Sequence, residues 1–334
     1  MTLRDGDPRT FRRGVSQTPQ PSVAATESPE GGAPDGDEPR PSLVVALVRL
    51  ARPKQWVKNL LVFAAPGADG ALTSRGPALD ATIAFVCFCL AAAGTYYIND
   101  ARDVEADRLH PDKRHRPVAA GVVPVRLAIT GGVLLLSAAV ALSFAANAKL
   151  ALTIAAYVVM TTLYSSWLKN VAVLDVVAVA SGFFLRAVAG AVATGVPISD
   201  WFFIITIFGS LFIVSGKRGA EVTEMGDNAA QFRSVLTAYS ASYIAYLRTV
   251  TSGAVLVGYC IWAVEKAEEV GVPATQHPWY QMSILPFIVG VLRYALILDQ
   301  GKGSVPEEII LSDRLLQLVG LSWLVVIAIG VYTA

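Results

Sequence analysis

The sequence predicts an all-α, polytopic membrane helical bundle, and three observations carry that prediction. Of 334 residues, 54% are hydrophobic and only 16% are charged, against about a quarter charged in an ordinary soluble domain. The apolar residues fall in blocks close to 20 residues long, the length that crosses a hydrocarbon core of roughly 30 Å as a helix. The blocks lack the period-2 alternation of a barrel strand, so their backbone groups must be satisfied within each segment as helix. The formal net charge of +1 says little about partners, because local charge matters more; no nucleic-acid partner is expected. Cys87, Cys89 and Cys260 lie inside apolar runs with no metal-like spacing around them, and read as small core hydrophobes.

Residues 1–40 are rich in Pro, Gly, Ser, Glu and Asp. Such a composition cannot bury enough apolar surface to offset its ordering entropy, so it predicts a disordered tail. The tail has no early apolar core of the signal-peptide kind and is expected to stay in the cytoplasm. Residues 41–334 form the transmembrane bundle. Ser42 to Leu50 predicts a juxtamembrane helix leading into Arg52-Pro53-Lys54-Gln55-Trp56. About nine spans follow, near 56–72, 78–98, 124–145, 149–168, 171–194, 200–217, 237–264, 279–298 and 313–333. The first is the weakest, interrupted by Pro66 and Gly67.

Lys and Arg in the short loops set orientation. The loop after the second span carries Arg102, Arg108, Lys113, Arg114 and Arg116, and later loops on that side add Lys169, then Lys217, Arg218 and Arg233, then Lys302. The opposite loops offer little beyond Arg75 and Lys266. A multi-pass plasma-membrane protein with one charged face toward the cytoplasm is expected.

The second span ends in Asn99-Asp100-Ala101-Arg102-Asp103-Val104-Glu105-Ala106-Asp107. Asn99, Asp103 and Asp107 are spaced i, i+4, i+8, which stacks them on one helix face. Like charges four apart repel by a few tenths of a kcal/mol, and a divalent cation converts that repulsion into coordination. Hard oxygen donors suit Mg²⁺, which binds through one or two carboxylates plus substrate phosphates. The bland alternative is a solvated loop whose acids pair with Arg102 and Arg108. The adjacent Lys113-Arg114-His115-Arg116-Pro117 favours the metal, since a metal–diphosphate needs both a cation and guanidinium forks. His115, in a basic run, is more simply a solvated histidine.

After the sixth span the sequence reads Ser215-Gly216-Lys217-Arg218-Gly219-Ala220-Glu221. Lys217 and Glu221 are one helical turn apart, Lys217 with Arg218 makes a second cationic patch, and the glycines permit close backbone approach to a ligand. Taken alone this is a positive-inside loop; facing the carboxylates across the bundle, it reads as an anion site. Lys54 and Lys58 flank Trp56 at the membrane edge, where anchoring is the plain reading. Arg186 lies deep in the fifth span, where a cation costs about 2.5 kcal/mol or more, so it is expected to face the bundle interior or a wet cavity; Asp175 is its expected partner or a cavity residue. Tyr164 and Lys169 close the fourth span near the same surface.

The run Asn99-x3-Asp103-x3-Asp107, followed by the Lys113–Pro117 cluster, resembles the UbiA-type superfamily of intramembrane prenyltransferases over roughly residues 45–334. The resemblance implies a Mg²⁺–diphosphate at Asn99, Asp103 and Asp107, with Asp100 close by. It departs at the second motif, where the superfamily has two aspartates four apart and this chain has Lys217 and Glu221. The fuller pattern, Arg52 to Asn59, then Asn99 to Arg108, then Gly209 to Phe212 leading to Gly216-Lys217-Arg218, resembles the decaprenyl-phosphate phosphoribosyltransferase branch. That branch implies phosphoribosyl diphosphate and a polyprenyl phosphate lipid as substrates, toward cell-wall arabinan precursors. Homo-oligomerisation stays open. On this reading Asp103, Asp107 and Lys217 carry catalysis, while Lys54, Lys58, Asp100, Arg114, Arg116, Tyr164, Lys169, Arg186, Arg218 and Glu221 contact substrate. Extra cations suit a reaction that gathers a diphosphate, a 5-phosphate and a lipid phosphate. Two alternatives remain: a prenyltransferase with a prenyl diphosphate donor, against which Lys217 argues, and a transporter of an anionic lipid or metabolite, against which the rim position of the acids argues.

Overall fold

A serine before an apolar run is a helix start, and Ser42 behaves as one. Its Oγ accepts the Val45 N–H at 3.4 Å at the head of α1, Leu43–Ala51, as an N-cap does. The structure, a computed structural model, describes residues 41–111, 113–225, 234–269, 278–301, 303 and 305–333. The tail 1–40 and the loop cations Arg233 and Lys302 lie outside the described residues. The described residues belong to one unit, Pro41–Ala334. After α1 a 3-10 run, Pro53–Phe63, continues into α2, Ala64–Ala68. The other helices are α3 (Arg75–Arg102), α4 (Val104–Leu109), α5 (Val125–Ser143), α6 (Ala148–Ser166), α7 (Leu174–Thr194) and α8 (Asp200–Met225). Then come α9 (Ala241–Glu269), α10 (Trp279–Met282), α11 (Ile284–Asp299), α12 (Pro306–Ser312) and α13 (Arg314–Tyr332).

Among the described residues, 8 helical stretches are long and apolar enough to cross a membrane. They are α3, α5, α6, α7, α8, α9, α10 with α11, and α13, and they match the last eight predicted spans. The chain is a multi-pass membrane protein. The first predicted span, 56–72, is not among them, because Pro53 and the Pro66-Gly67 step leave too little room for a long α-helix. It runs the length of the bundle nonetheless. The 11 residues of the 3-10 run, at about 2 Å each, and the 5 of α2, at about 1.5 Å each, together cover close to the core thickness. At one end Arg52 bonds Asp100 at the C-terminal end of α3 (2.6 Å); at the other the Tyr332 hydroxyl of α13 donates to the Gly67 carbonyl (3.5 Å).

The 3-10 run is pressed into the bundle. A Cβ added at Gly190 of α7 would sit 1.7 Å from the Val62 carbonyl oxygen, so only glycine lets the two backbones meet. Val62, Phe88, Leu150, Ile154 and Ala189 form one apolar core around that contact. Arg186 lies inside it, 8% exposed. Its Nε donates to Asn59 Oδ1 (2.7 Å), Nη1 to the Gly182 carbonyl (2.6 Å) and Nη2 to the Tyr157 hydroxyl (3.1 Å). Its guanidinium also lies 5.3 Å from the Phe88 ring centroid and 4.9 Å from that of Tyr157. Asp175 is therefore not its partner: 11 residues of α7 separate them, about 16 Å along the axis. A bundle interior supplied with amide, carbonyl and hydroxyl acceptors holds this cation without a carboxylate. Cys87 and Cys89 are buried free thiols, and Asn59 Nδ2 donates to Cys89 Sγ (3.2 Å).

Candidate active site at the charged end of the bundle

Consecutive spans alternate in direction, so the C-terminal ends of α3, α6 and α8 and the N-terminal ends of α5, α7 and α9 gather at one end. The predicted acidic and basic motifs lie there. α3 is 28 residues long, about 42 Å, and carries Asn99 and Asp100 past the apolar core. It breaks at Asp103, where α4 begins, so the triad does not ride one continuous helix. The ladder survives the break: the Asp103 N–H donates to the Asn99 carbonyl (2.9 Å) and the Asp107 N–H to the Asp103 carbonyl (2.8 Å). The three oxygen-bearing side chains therefore keep their one-turn spacing. Asn99 and Asp103 are half-buried and their side chains make no hydrogen bond or ion pair among the described residues.

Among the described residues no three His, Cys, Asp or Glu side chains gather to hold an ion. The donor set still fits Mg²⁺, which takes few protein carboxylates and completes its shell with phosphate oxygens and water. The neighbouring acids are paired with arginine. Asp100, 3% exposed, accepts Arg52 Nη2 at 2.6 Å and Arg116 Nη1 at 3.3 Å on the same oxygen. That Arg116 nitrogen also meets Asp107 Oδ2 at 2.7 Å. Arg52 stacks over the Tyr96 ring (4.6 Å) and adopts φ 51°, uncommon for a non-glycine residue. The loop that presents Arg116 is well tied: the Pro117 carbonyl accepts the Val122 and Val123 N–H groups at 3.0 Å each, and Arg108 Nε donates to the Ala119 carbonyl (3.3 Å).

The second motif is not a loop. α8 continues to Met225, so Lys217, Arg218 and Glu221 stand on helix. Arg218 is fully buried. It pairs with Glu221, lies 2.8 Å from Asp175 Oδ2 with its N–H off the oxygen's direction, and reaches the Tyr164 hydroxyl at 3.4 Å. The Tyr239 hydroxyl donates to Asp175 and accepts the N–H of Val173 (2.6 Å), a residue held at φ 69°. The room around Gly216 is taken by Leu298, 2.4 Å from a built Cβ, and a Cβ on Gly303 would meet the Gly216 carbonyl at 2.4 Å; these glycines serve chain packing, not ligand approach. Lys217 is half-buried and makes no ion pair or hydrogen bond among the described residues.

Burial and the bond to Asp175 push the Tyr239 phenol above its ordinary pKa. A raised pKa means the protonated phenol stabilises the fold below its ordinary value of about 10, and that contribution fades as pH climbs beyond it. Tyr239→Phe strands the Val173 N–H and one Asp175 oxygen, and is expected to destabilise by about 1–3 kcal/mol. Thermal unfolding from pH 8 to 11 checks this: the variant should lose stability at pH 8 and show a flatter alkaline limb than wild type.

Of the other predicted residues, Lys54 and Arg114 are exposed, and Lys58 is half-buried with Nζ on Gln55 Oε1 (2.5 Å). Arg114 Nε contacts His115 Nε2 (3.2 Å). Tyr164 and the half-buried Lys169 sit at the end of α6 and in the turn before α7. Arg186 stands apart in the core. Arg52, Asp175 as partner of Arg218, and Tyr239 join the two clusters without a spacing signal. In the sequence Arg52 stands out as the start of the Arg52-to-Asn59 run at the membrane edge, with nothing to mark its pairing with Asp100.

The UbiA prenyltransferase family matches residues 60–310 of the chain. The decaprenyl-phosphate phosphoribosyltransferase of Corynebacterium glutamicum is 42% identical, over 88% of this chain and 89% of its own length. The enzyme of the same name from Mycolicibacterium smegmatis is 42% identical, over 92% and 99%. Among solved structures, a UbiA homolog from Archaeoglobus fulgidus bound to GPP and Mg²⁺ superposes with a TM-score of 0.64 at 20% identity, covering 86% of this chain and all of that one. The chain belongs to the UbiA prenyltransferase family and, within it, groups with the decaprenyl-phosphate phosphoribosyltransferases.

Proposed function

We propose that this chain transfers the 5-phosphoribosyl group of phosphoribosyl diphosphate to a polyprenyl phosphate, decaprenyl phosphate by the name of its relatives, and releases diphosphate. The bond from the anomeric carbon to the diphosphate oxygen breaks with its electron pair leaving on diphosphate, and a lipid phosphate oxygen forms the new bond. That oxygen is already anionic near neutral pH, so no general base is needed, which agrees with a charged end rich in cations and poor in candidate bases. Catalysis rests on positioning and electrostatics.

The observation that carries this reading is Lys217, a half-buried ammonium without a partner among the described residues. It stands where prenyltransferases of the superfamily have a metal-binding aspartate. A prenyl diphosphate needs two metals there; a donor with its own 5-phosphate, meeting a lipid phosphate, needs a fixed cation. Asn99, Asp103 and Asp107 would hold Mg²⁺, which when bound neutralises charge developing on the leaving diphosphate. Lys54, Lys58, Lys169, Lys217, Arg114 and Arg116 offset the remaining phosphate charge, with Tyr164 beside them. Arg218 and Glu221 act from behind, holding the Lys217 turn of α8 in place, and Arg186 braces the core. The Lys and Arg bias of this end supports a cytoplasmic orientation, where a soluble sugar donor is available.

The test is product formation by the purified full chain in detergent with phosphoribosyl diphosphate, polyprenyl phosphate and Mg²⁺. Diphosphate and phosphoribosylated lipid should appear in equal amounts, and chelator should stop both. Turnover only with a prenyl diphosphate and an acceptor would replace this reading with the prenyltransferase one.

A further inference from the structure

We propose that Arg116 is the placeholder for the metal: it occupies Asp107 before the ion arrives, and pivots on Asp100 toward the diphosphate when the ion displaces it. The proposal rests on the functional reading above and assigns two positioning residues within it, Arg52 and Asp100, which act through the phosphate-contacting Arg116. Two buried carboxylates facing each other across the α3–α4 break repel unless a cation stands between them. Arg116 Nη1 is that cation, 2.7 Å from Asp107 Oδ2 and 3.3 Å from Asp100 Oδ1. The two contacts differ in kind. Asp100 is held from the other side by Arg52 at 2.6 Å, and Arg52 is itself fixed by its stacking on Tyr96 and its place at the end of α1. Asp107 is held by no second cation among the described residues and belongs to the oxygen row that continues through Asp103 and Asn99.

Asp100 is thus the pivot and Asp107 the exchangeable partner. An ion on Asp107 repels the guanidinium nearby, which stays tethered through Asp100 and presents its fork to the phosphates that the same ion carries. On this view Asp100 is neither a metal ligand nor a substrate contact. It aims the arginine that is.

The proposal makes opposite-signed demands on two ligands, which a purely structural role does not. In wild-type protein Mn²⁺, as a spectroscopic stand-in for Mg²⁺, is titrated by the loss of its free EPR signal, with and without inorganic diphosphate. Arg116→Gln removes the competitor for Asp107. Mn²⁺ alone should then bind about five- to tenfold more tightly, the size of one modest ion-pair contribution, while diphosphate in the presence of Mn²⁺ should bind at least about tenfold more weakly. Asp100→Asn should do the reverse to the metal, because Arg116 then pairs with Asp107 alone. The double variant Asp100→Asn/Arg116→Gln should regain the tight Mn²⁺ binding of Arg116→Gln. If Asp100 were a ligand, the double variant would stay weak, and the pivot would be overturned. Unchanged Mn²⁺ affinity in Arg116→Gln overturns the placeholder. Thermal unfolding in EDTA supplies a second readout: Arg116→Gln should unfold earlier than wild type and gain more from added Mn²⁺, and Arg116→Lys should fall between them. Wild-type protein that binds no Mn²⁺ at all overturns the metal reading beneath the proposal, an outcome distinct from the others.

Discussion

Asp103→Ala should lower turnover by about a thousandfold or more while leaving thermal unfolding within about 2 °C of wild type. The separation of the two effects is the point. Asp103 is half-buried and its carboxylate makes no hydrogen bond or ion pair among the described residues, so its removal takes away little that folding uses. It stands between Asn99 and Asp107 on a backbone ladder that does not depend on its side chain. An ion that stabilises a leaving diphosphate contributes several kcal/mol to the transition state, and losing one of its anionic ligands removes much of that. Phosphoribosylated lipid measured by mass against time, beside a melting curve of the same preparation, gives both numbers. Wild-type turnover in a well-folded Asp103→Ala protein would remove the metal role from this residue. Asp107→Ala is expected to lose both activity and stability, since it also breaks the Arg116 pair.

Gly190→Ala should be the most damaging single substitution to the fold. The added methyl would stand 1.7 Å from the Val62 carbonyl oxygen and 3.3 Å from a Pro66 ring carbon, both on the segment that runs beside α7. Overpacking of a tight core costs about 1–3 kcal/mol where side chains can give way; here the obstacle is backbone, so about 3 kcal/mol or more is expected. The whole segment must move outward, and Asn59 moves with it, leaving the Arg186 Nε–H without its acceptor. Size-exclusion profiles and unfolding in mild detergent check this. A monodisperse Gly190→Ala protein with wild-type stability would mean the two backbones are not in contact.

Most of the bundle was legible because length and hydropathy govern membrane helices, and eight spans needed nothing more. The first predicted span, 56–72, is not among the eight, since a hydropathy window assumes an α-helical rise and takes no account of Pro53. The acidic triad was legible as spacing; the break at Asp103 left that spacing intact because the backbone bonds bridge it. The second motif was legible as a cationic patch but not as a sorted one. Lys217 and Arg218 look alike in sequence, and only the neighbours on α6, α7 and the turn before α9 decide that one is sealed and the other accessible. Asp175 illustrates why: a carboxylate near the start of α7 has two arginines to choose between, and helix length rules out the nearer one in sequence. Tyr239 carried no signal at all, because a tyrosine near the membrane surface has an ordinary interfacial explanation.

The 3-10 run has three residues per turn, so its side chains eclipse at every third position. Asn59 and Val62 are fully buried and Ala65, three further on at the start of α2, nearly so, which makes one narrow ridge of a polar anchor, a branched spacer and a small foot. The reading frame of that ridge is unforgiving. A one-residue insertion between Asn59 and Val62 would swing everything on one side of it by about 120°, either turning Asn59 toward lipid and orphaning Arg186 or lifting Val62 off Gly190. Substitutions at the exposed apolar positions of this run, Val57 and Leu60, should be absorbed freely, whereas insertions and deletions within residues 53–66 should not. This stretch of the chain is one where length, more than composition, is what natural variation must preserve.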